Sequence, residues 1–196
     1  MRTFVAIDIP DEIRQRIADF MEALQRFAPD VRWVSPASLH ITLKFIGEVA
    51  PERLPEITAA LRKIKSGPFD VSFRETGFFP NARAPRVFWI GVAAGERLQR
   101  VAHDVDEALV ALPALKLERE REPYHPHLTL ARSGSGRPQR MRSDAPNNRF
   151  RLLAEKLPSL AAADFGTMTA REFILYESTL TPQGARYSRR ESFPLG

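Results

Sequence analysis

The chain has 196 residues, 43% of them hydrophobic and 27% charged, with no cysteine and a formal net charge of +5 at pH 7. That length builds one large domain or two small lobes with a real core, and the composition excludes a disordered chain. The missing cysteines exclude disulfides, thiolate metal sites and cysteine nucleophiles and fit a reducing cytoplasm, while the positive balance suits a polyanionic partner such as RNA.

In chain order, Phe4–Ile7 is a short apolar run that predicts a strand, preceded by nothing that resembles a signal peptide. Pro10-Asp11 suits a helix start, and Ile13, Ile17, Phe20, Met21, Leu24 and Phe27 follow at helical spacing. Pro36 breaks the chain before a strand predicted from Leu39 to Ile46. Pro51 opens a second helix with Leu54, Ile57, Leu61 and Ile64 on one face, Gly67-Pro68 ends it, and Phe69–Phe73 alternates like a strand. Val87–Ile90 reads as a strand and Glu96 to Leu112 as a helix that turns Leu98, Val101, Val105, Ala108, Leu109 and Leu112 inward. Pro123 and Pro126 precede a strand from His127 to Ala131. A helix over Phe150–Leu157 and a strand over Glu172–Tyr176 complete the prediction. From Ser133 to Asn148, Gly, Ser, Pro and Arg cluster without apolar periodicity, so this is the expected least ordered stretch. No apolar run approaches the roughly 20 residues that cross a bilayer, so no membrane partner is expected.

The order strand–helix–strand occurs twice, and each time it delivers a near-copy of one tetrapeptide: His40-Ile41-Thr42-Leu43 and His127-Leu128-Thr129-Leu130. Side chains alternate along a strand, so each His shares a face with the Thr two positions on, while the intervening aliphatic residues enter a core. The repeat predicts one α+β domain spanning 1–196, with repeat-like halves of about 1–80 and 85–196. Its two pseudo-symmetric lobes are each expected to be an antiparallel sheet with helices on the outside, flanking a central groove. Histidine titrates near neutrality, so a facing pair holds one base and one acid for in-line displacement at a phosphodiester. The Thr42 and Thr129 hydroxyls are placed to donate to its non-bridging oxygens.

These motifs resemble the two-histidine (2H) phosphoesterase superfamily, and within it the RNA 2',3'-cyclic phosphodiesterases, also called 2'-5' RNA ligases. The likeness rests on Phe4–Asp8, on Leu39–Gly47, on His125–Arg132 and on the closing segment Leu175–Gly184, and so covers nearly the whole chain. It implies hydrolysis, without metal or cofactor, of a terminal 2',3'-cyclic phosphate on RNA to a 2'-phosphate, with a reversible 2'-5' joining reaction as its counterpart. By analogy His40 is the general acid and His127 the general base, although the near-symmetric motifs leave the direction open. Arg132 follows the second motif where the family carries a basic residue, and is a candidate phosphate-binding group. Strand parity, however, points it away from His127, and the matching offset in the first motif is Phe45.

Alternatives remain at this level. A His125/His127/His40 metal set is conceivable, but Pro126 and the lack of nearby acidic ligands disfavour it. Phe45 and Tyr124 are candidates for base stacking or for core packing, His103 for the surface, and Arg137, Arg140 and Arg142 for electrostatic guidance of RNA. A non-catalytic RNA-end or nucleotide-binding protein would use the same groove, and a related enzyme would act on small cyclic nucleotides or 2'-5' oligonucleotides. A cytoplasmic monomer is expected.

Overall fold

Strand β1 (Arg2–Asp8) leads into helix α1 (Asp11–Gln25), which begins beyond Pro10, carries Asp11 and Glu12 in its first turn, and buries Ile13, Ile17, Met21 and Leu24. After β2 (Arg32–Trp33) and a 3-10 turn at Pro36–Ser38 comes β3 (His40–Glu48), then α2 (Leu54–Leu61) behind a second turn at Pro51–Arg53. Next are β4 (Phe69–Phe79), β5 (Val87–Ala93), α3 (Gly95–Val110) and β6 (His127–Arg132). The chain closes with α4 (Arg151–Leu160), β7 (Asp164–Ala170), β8 (Glu172–Thr181) and β9 (Gly184–Pro194). This computed structural model describes residues 1–119, 123–134, 148–160, 163–181 and 184–196. Arg137, Arg140 and Arg142, and the 135–147 portion of the stretch expected to be least ordered, lie outside the described residues.

The strands form two antiparallel sheets, ordered β3-β1-β8-β9 and β2-β6-β5-β4-β7. The architecture is α+β, as expected. The two sheets do not follow the chain's halves: β8 and β9 complete the sheet begun by β1 and β3, while β2 and β4 join β5, β6 and β7. Helices cross over as well. Helix α1 reaches β7, where Phe20 meets Phe165 edge-on at 4.9 Å, and α3 packs on β3. One continuous apolar core therefore runs under both sheets, from Val5, Ile41 and Leu175 to Phe88, Ile90 and Leu128.

Three strands are absent from the sequence-based expectation. β2 is only two residues long, too short for any alternation to register. β7 and β9 lie at sheet edges, where one neighbour and a largely polar face relax the need for apolar side chains. Other strands outrun their apolar runs, β4 reaching Phe79 and β8 reaching Thr181. Among the described residues, no helix is long and apolar enough to cross a membrane.

Candidate active site

Each histidine stands at the first position of its strand, delivered by a proline-restrained segment. Ahead of β3, the Arg14 guanidinium donates to the carbonyls of Pro36 and Leu39, at 2.8 and 3.1 Å, and fixes the entry to the strand. The His40 ring is then latched by its own backbone, Nδ1 lying 2.8 Å from the Ser38 carbonyl. A carbonyl only accepts, so Nδ1 carries the proton and Nε2 is the free ring nitrogen. Phe4 packs against the imidazole at 4.7 Å between centroids, and Tyr187 meets it edge-on at 5.2 Å.

His127 repeats the arrangement. Its Nδ1 lies 2.7 Å from the carbonyl of His125, again two residues back, which leaves Nε2 free. Phe79 meets the ring edge-on at 4.9 Å and stacks in turn on Trp89 at 5.2 Å. Trp89 lies flat over Gly77, where an added Cβ would fall 2.3 Å from the indole, so only glycine fits beneath it. His125 itself is exposed at the rim, and its carbonyl rather than its ring serves the site. His103 is exposed on α3. Among the described residues, no three His, Cys, Asp or Glu side chains converge as metal ligands.

Parity along both motif strands is broken at the same place. In β3, Ala6 pairs with Thr42 and Val5 with Lys44, so Leu43 is an extra residue. In β6, Trp89 pairs with Thr129 and Phe88 with Ala131, so Leu130 is extra. A bulge of this kind puts two consecutive side chains inward and shifts the alternation beyond it by one. Leu43 and Lys44 are accordingly both buried, as are Leu130 and Ala131. The expectation from simple alternation, that Arg132 faces away from His127, is thereby corrected: Arg132 joins the face of His127 and Thr129, its Nη2 3.4 Å from Thr129 Oγ1. Phe45, at the same offset in β3, joins His40 and Thr42 and is 60% exposed there. Lys44, turned inward by the bulge, makes a 2.7 Å ion pair with Asp106 of α3.

Of the two roles anticipated for Tyr124, core packing is the one the structure shows, its ring lying against the main core. Its hydroxyl donates to the Thr42 carbonyl at 2.8 Å, bridging from the segment before β6 to the middle of β3. Tyr187 of β9 meets the His40 ring edge-on. Strands β3 and β6, which carry the two His-x-Thr motifs, are in contact with one another.

The two histidines differ in what surrounds them. Asp8 is the direct cross-strand partner of His40. Arg14 holds its Oδ1 at 2.7 Å and Arg189 of β9 holds its Oδ2 at 2.8 Å. Burial pulls the Asp8 carboxyl up, but Arg189, the Ile9 amide and Arg14 outweigh it and hold it below its ordinary value. Burial pushes His40 below its ordinary value, against the upward pull of the Ser38 carbonyl and the Asp8 carboxylate. His127 is also lowered by burial, and here the neighbouring charges, Arg132 and His125, push the same way. His40 thus lies beside both the Asp8 carboxylate and the Arg14 guanidinium, which pull its pKa in opposite directions, while His127 has the Arg132 guanidinium.

Sequence reasoning found both histidines and both threonines but missed Asp8, Phe79, Trp89, Tyr187 and Arg189 as their surroundings. Asp8 closed the first apolar run and was visible as its end. Tyr187 and Arg189 belong to an edge strand that had not been expected.

Comparison with known proteins agrees with this geometry. The family model described as LigT like Phosphoesterase matches twice, over residues 7–89 and 90–187, once around each His-x-Thr strand. A protein from Archaeoglobus fulgidus named RNA 2',3'-cyclic phosphodiesterase is 36% identical over 187 residues, covering 95% of this chain and 96% of its own. The crystal structure of TT0787 from Thermus thermophilus superposes with a TM-score of 0.77 at 29% identity, covering 100% of this chain and 98% of its own. The E. coli LigT structure complexed with 3'-AMP gives a TM-score of 0.73 at 25% identity, over 99% of this chain and 97% of that one. Both motif strands and nearly all of the chain lie within these matches, and the protein belongs to the LigT-like phosphoesterase family.

Proposed function

We propose that this protein is an RNA 2',3'-cyclic phosphodiesterase that opens a terminal cyclic phosphate to a 2'-phosphate by paired histidine acid–base catalysis. The observation that carries the reading is the matched latch. Each imidazole is anchored through Nδ1 to the carbonyl two residues back, which leaves Nε2 free on each of two strands in contact. The names of the relatives supply the substrate class.

The Asp8 carboxylate beside His40 supports one direction of proton transfer over the other. His127, whose neutral form is favoured by burial and by Arg132 beside it, takes a proton from water through Nε2 as the water oxygen attacks phosphorus. His40, whose protonated form is favoured by Asp8, gives its proton to the 3' oxygen as the P–O3' bond breaks. Water is consumed, a 2'-phosphomonoester and a free 3'-hydroxyl are left, and proton exchange with solvent resets both rings. Thr42, Thr129 and Arg132 donate to the non-bridging oxygens as charge builds on them. Phe45, exposed at the groove, offers its ring face to the terminal base. A 5'-hydroxyl in the water's place joins two RNA ends through a 2'-5' linkage by the same proton movements. No step calls for a metal or cofactor. All of these groups come from one chain, which suits a monomer, and a cysteine-free protein acting on RNA suits the cytoplasm.

The test is hydrolysis of an oligonucleotide ending in a 2',3'-cyclic phosphate, in EDTA, by the wild type and by His40→Ala and His127→Ala. A 2'-phosphate product, lost in both variants while they remain folded, is expected. Full turnover in either variant sinks the mechanism. Tight binding with no product from the wild type assigns the groove to recognition alone.

A further inference from the structure

Next to Arg132 stands a second guanidinium that the reaction itself does not use. Arg32 and Arg132 are direct partners across the β2–β6 ladder. Directly opposed residues of an antiparallel pair project from the same face with their Cβ atoms about 5 Å apart, and like charges so placed repel. The repulsion registers in Arg132, which burial and the charge of Arg32 both push down. Among the described residues, no carboxylate lies within ion-pair distance of either guanidinium.

Strand β2 is held firmly despite its length of two residues. Trp33 Nε1 donates to the Ala28 carbonyl at 3.0 Å, the Trp33 ring meets Phe88 edge-on, and the Val34 amide donates to Leu130 at 2.8 Å. The bulge at Leu130 turns Arg132 onto the His127–Thr129 face, and its cross-strand partner Arg32 extends that face outward by one strand spacing, roughly 4.8 Å. The fold thus fixes two exposed cations side by side and pointing the same way, one at the reacting end and one beyond it. Such a pair is unfavourable until an anion comes between or beside them.

We propose that Arg32 is a second phosphate-binding residue of the groove, receiving the phosphodiester on the 5' side of the terminal nucleotide while Arg132 serves the cyclic phosphate. The proposal rests on the phosphodiesterase reading and deepens it. A cyclic mononucleotide has no second phosphate and leaves Arg32 unengaged, so the arrangement selects oligonucleotides.

Three substrates, each ending in a 2',3'-cyclic phosphate, separate the possibilities: a cyclic mononucleotide, an RNA oligonucleotide, and the same oligonucleotide with an uncharged methylphosphonate at its last internucleotide linkage. Arg32→Ala is expected to lower kcat/KM on the native oligonucleotide by about fivefold to twentyfold, mostly through KM, and to reduce the salt slope by about one. The mononucleotide and the methylphosphonate substrate should change by less than about twofold. Equal losses on all three would place Arg32 at the reacting phosphate or in the scaffold, and no loss on any would leave it without a role; either overturns the proposal. Affinity is measured in parallel with the corresponding 2'-phosphate oligonucleotides. If the wild type fails to turn over, the phosphodiesterase reading falls, yet the charged-versus-methylphosphonate binding difference still decides Arg32.

Discussion

The Tyr124 hydroxyl and the Thr42 carbonyl are joined by a 2.8 Å hydrogen bond that runs from the approach to β6 into the middle of β3. It ties the two motif strands together two residues beyond one histidine and three residues ahead of the other. Burial pushes the Tyr124 phenol well above its ordinary range, so it stays a donor across the working pH range. Tyr124→Phe keeps the ring and removes the tether. It should cost about 1–3 kcal/mol of stability through the unpaired carbonyl. It should also lower kcat more than it raises KM, since alignment of the two strands is what it disturbs. Unfolding curves and steady-state kinetics on the same sample check both.

Asp8 lies directly across the strand pair from His40. Removing its charge takes away the anion that favours the imidazolium, so the His40 pKa in Asp8→Asn falls further. A general acid must be protonated, and its pKa sets the basic limb of the pH–rate profile. That limb should move to lower pH, while the acidic limb, set by His127, stays in place. An unmoved basic limb would mean that Asp8 serves only to hold Arg14 and Arg189. Asp8 also affects stability. Its folded value lies below the ordinary 3.8, so its contribution is complete above that pH and is lost as pH falls through the folded value.

The histidines predict a second pH dependence, of opposite origin. Both are lowered from 6.5, so between that value and their folded values the unfolded chain binds more protons than the native one. Stability from this source is fully present above 6.5 and erodes as pH falls below it. Thermal midpoints measured about one pH unit above and one below the ordinary histidine value should differ, and the difference should shrink in His40→Gln and His127→Gln. Added inorganic phosphate should shrink it too, by favouring the charged rings.

Gly77 is kept bare by the indole above it. In Gly77→Ala the new methyl group would lie 2.3 Å from Trp89, against a ring already stacked on Phe79. Overpacking of this kind costs about 1–3 kcal/mol. The displaced indole would carry Phe79, and with it the wall of His127. Reduced stability, an altered tryptophan emission spectrum and a lower kcat are expected together.

Phe45 offers a cleaner separation, because it is exposed and contributes little to the core. Phe45→Ala should leave the thermal midpoint unchanged and raise KM, in keeping with about 1–3 kcal/mol for a stacked base. Phe45→Trp should retain binding. A loss of stability without a change in KM would return Phe45 to a packing role.

The histidines and threonines were legible because alternation needs no partner strand to be read: His40, Thr42, His127 and Thr129 share faces by position alone. Arg132 was not, since a bulge is a property of two strands in register and Leu130 carries no mark of being the extra residue. Phe45 was obscured by the equivalent extra residue, Leu43, which also buries Lys44 against Asp106. Tyr187 and Arg189 lie on a strand whose residues are mostly exposed, and their closeness to His40 and Asp8 depends on pairings that span most of the chain. Local pattern gave the paired motifs, and tertiary pairing set their environment.

The weaving of the two halves has a consequence for how the molecule is made. β1 finds its neighbour β8 about 170 positions later, so loop-closure entropy is spent before the first sheet gains its third strand, and folding should be slow for this size. During synthesis His40 emerges early but meets Tyr187 and the Asp8 partner Arg189 only after β9 has been made. A chain that lacks β9 therefore carries both histidines without Tyr187 beside His40 and without Arg189 on Asp8.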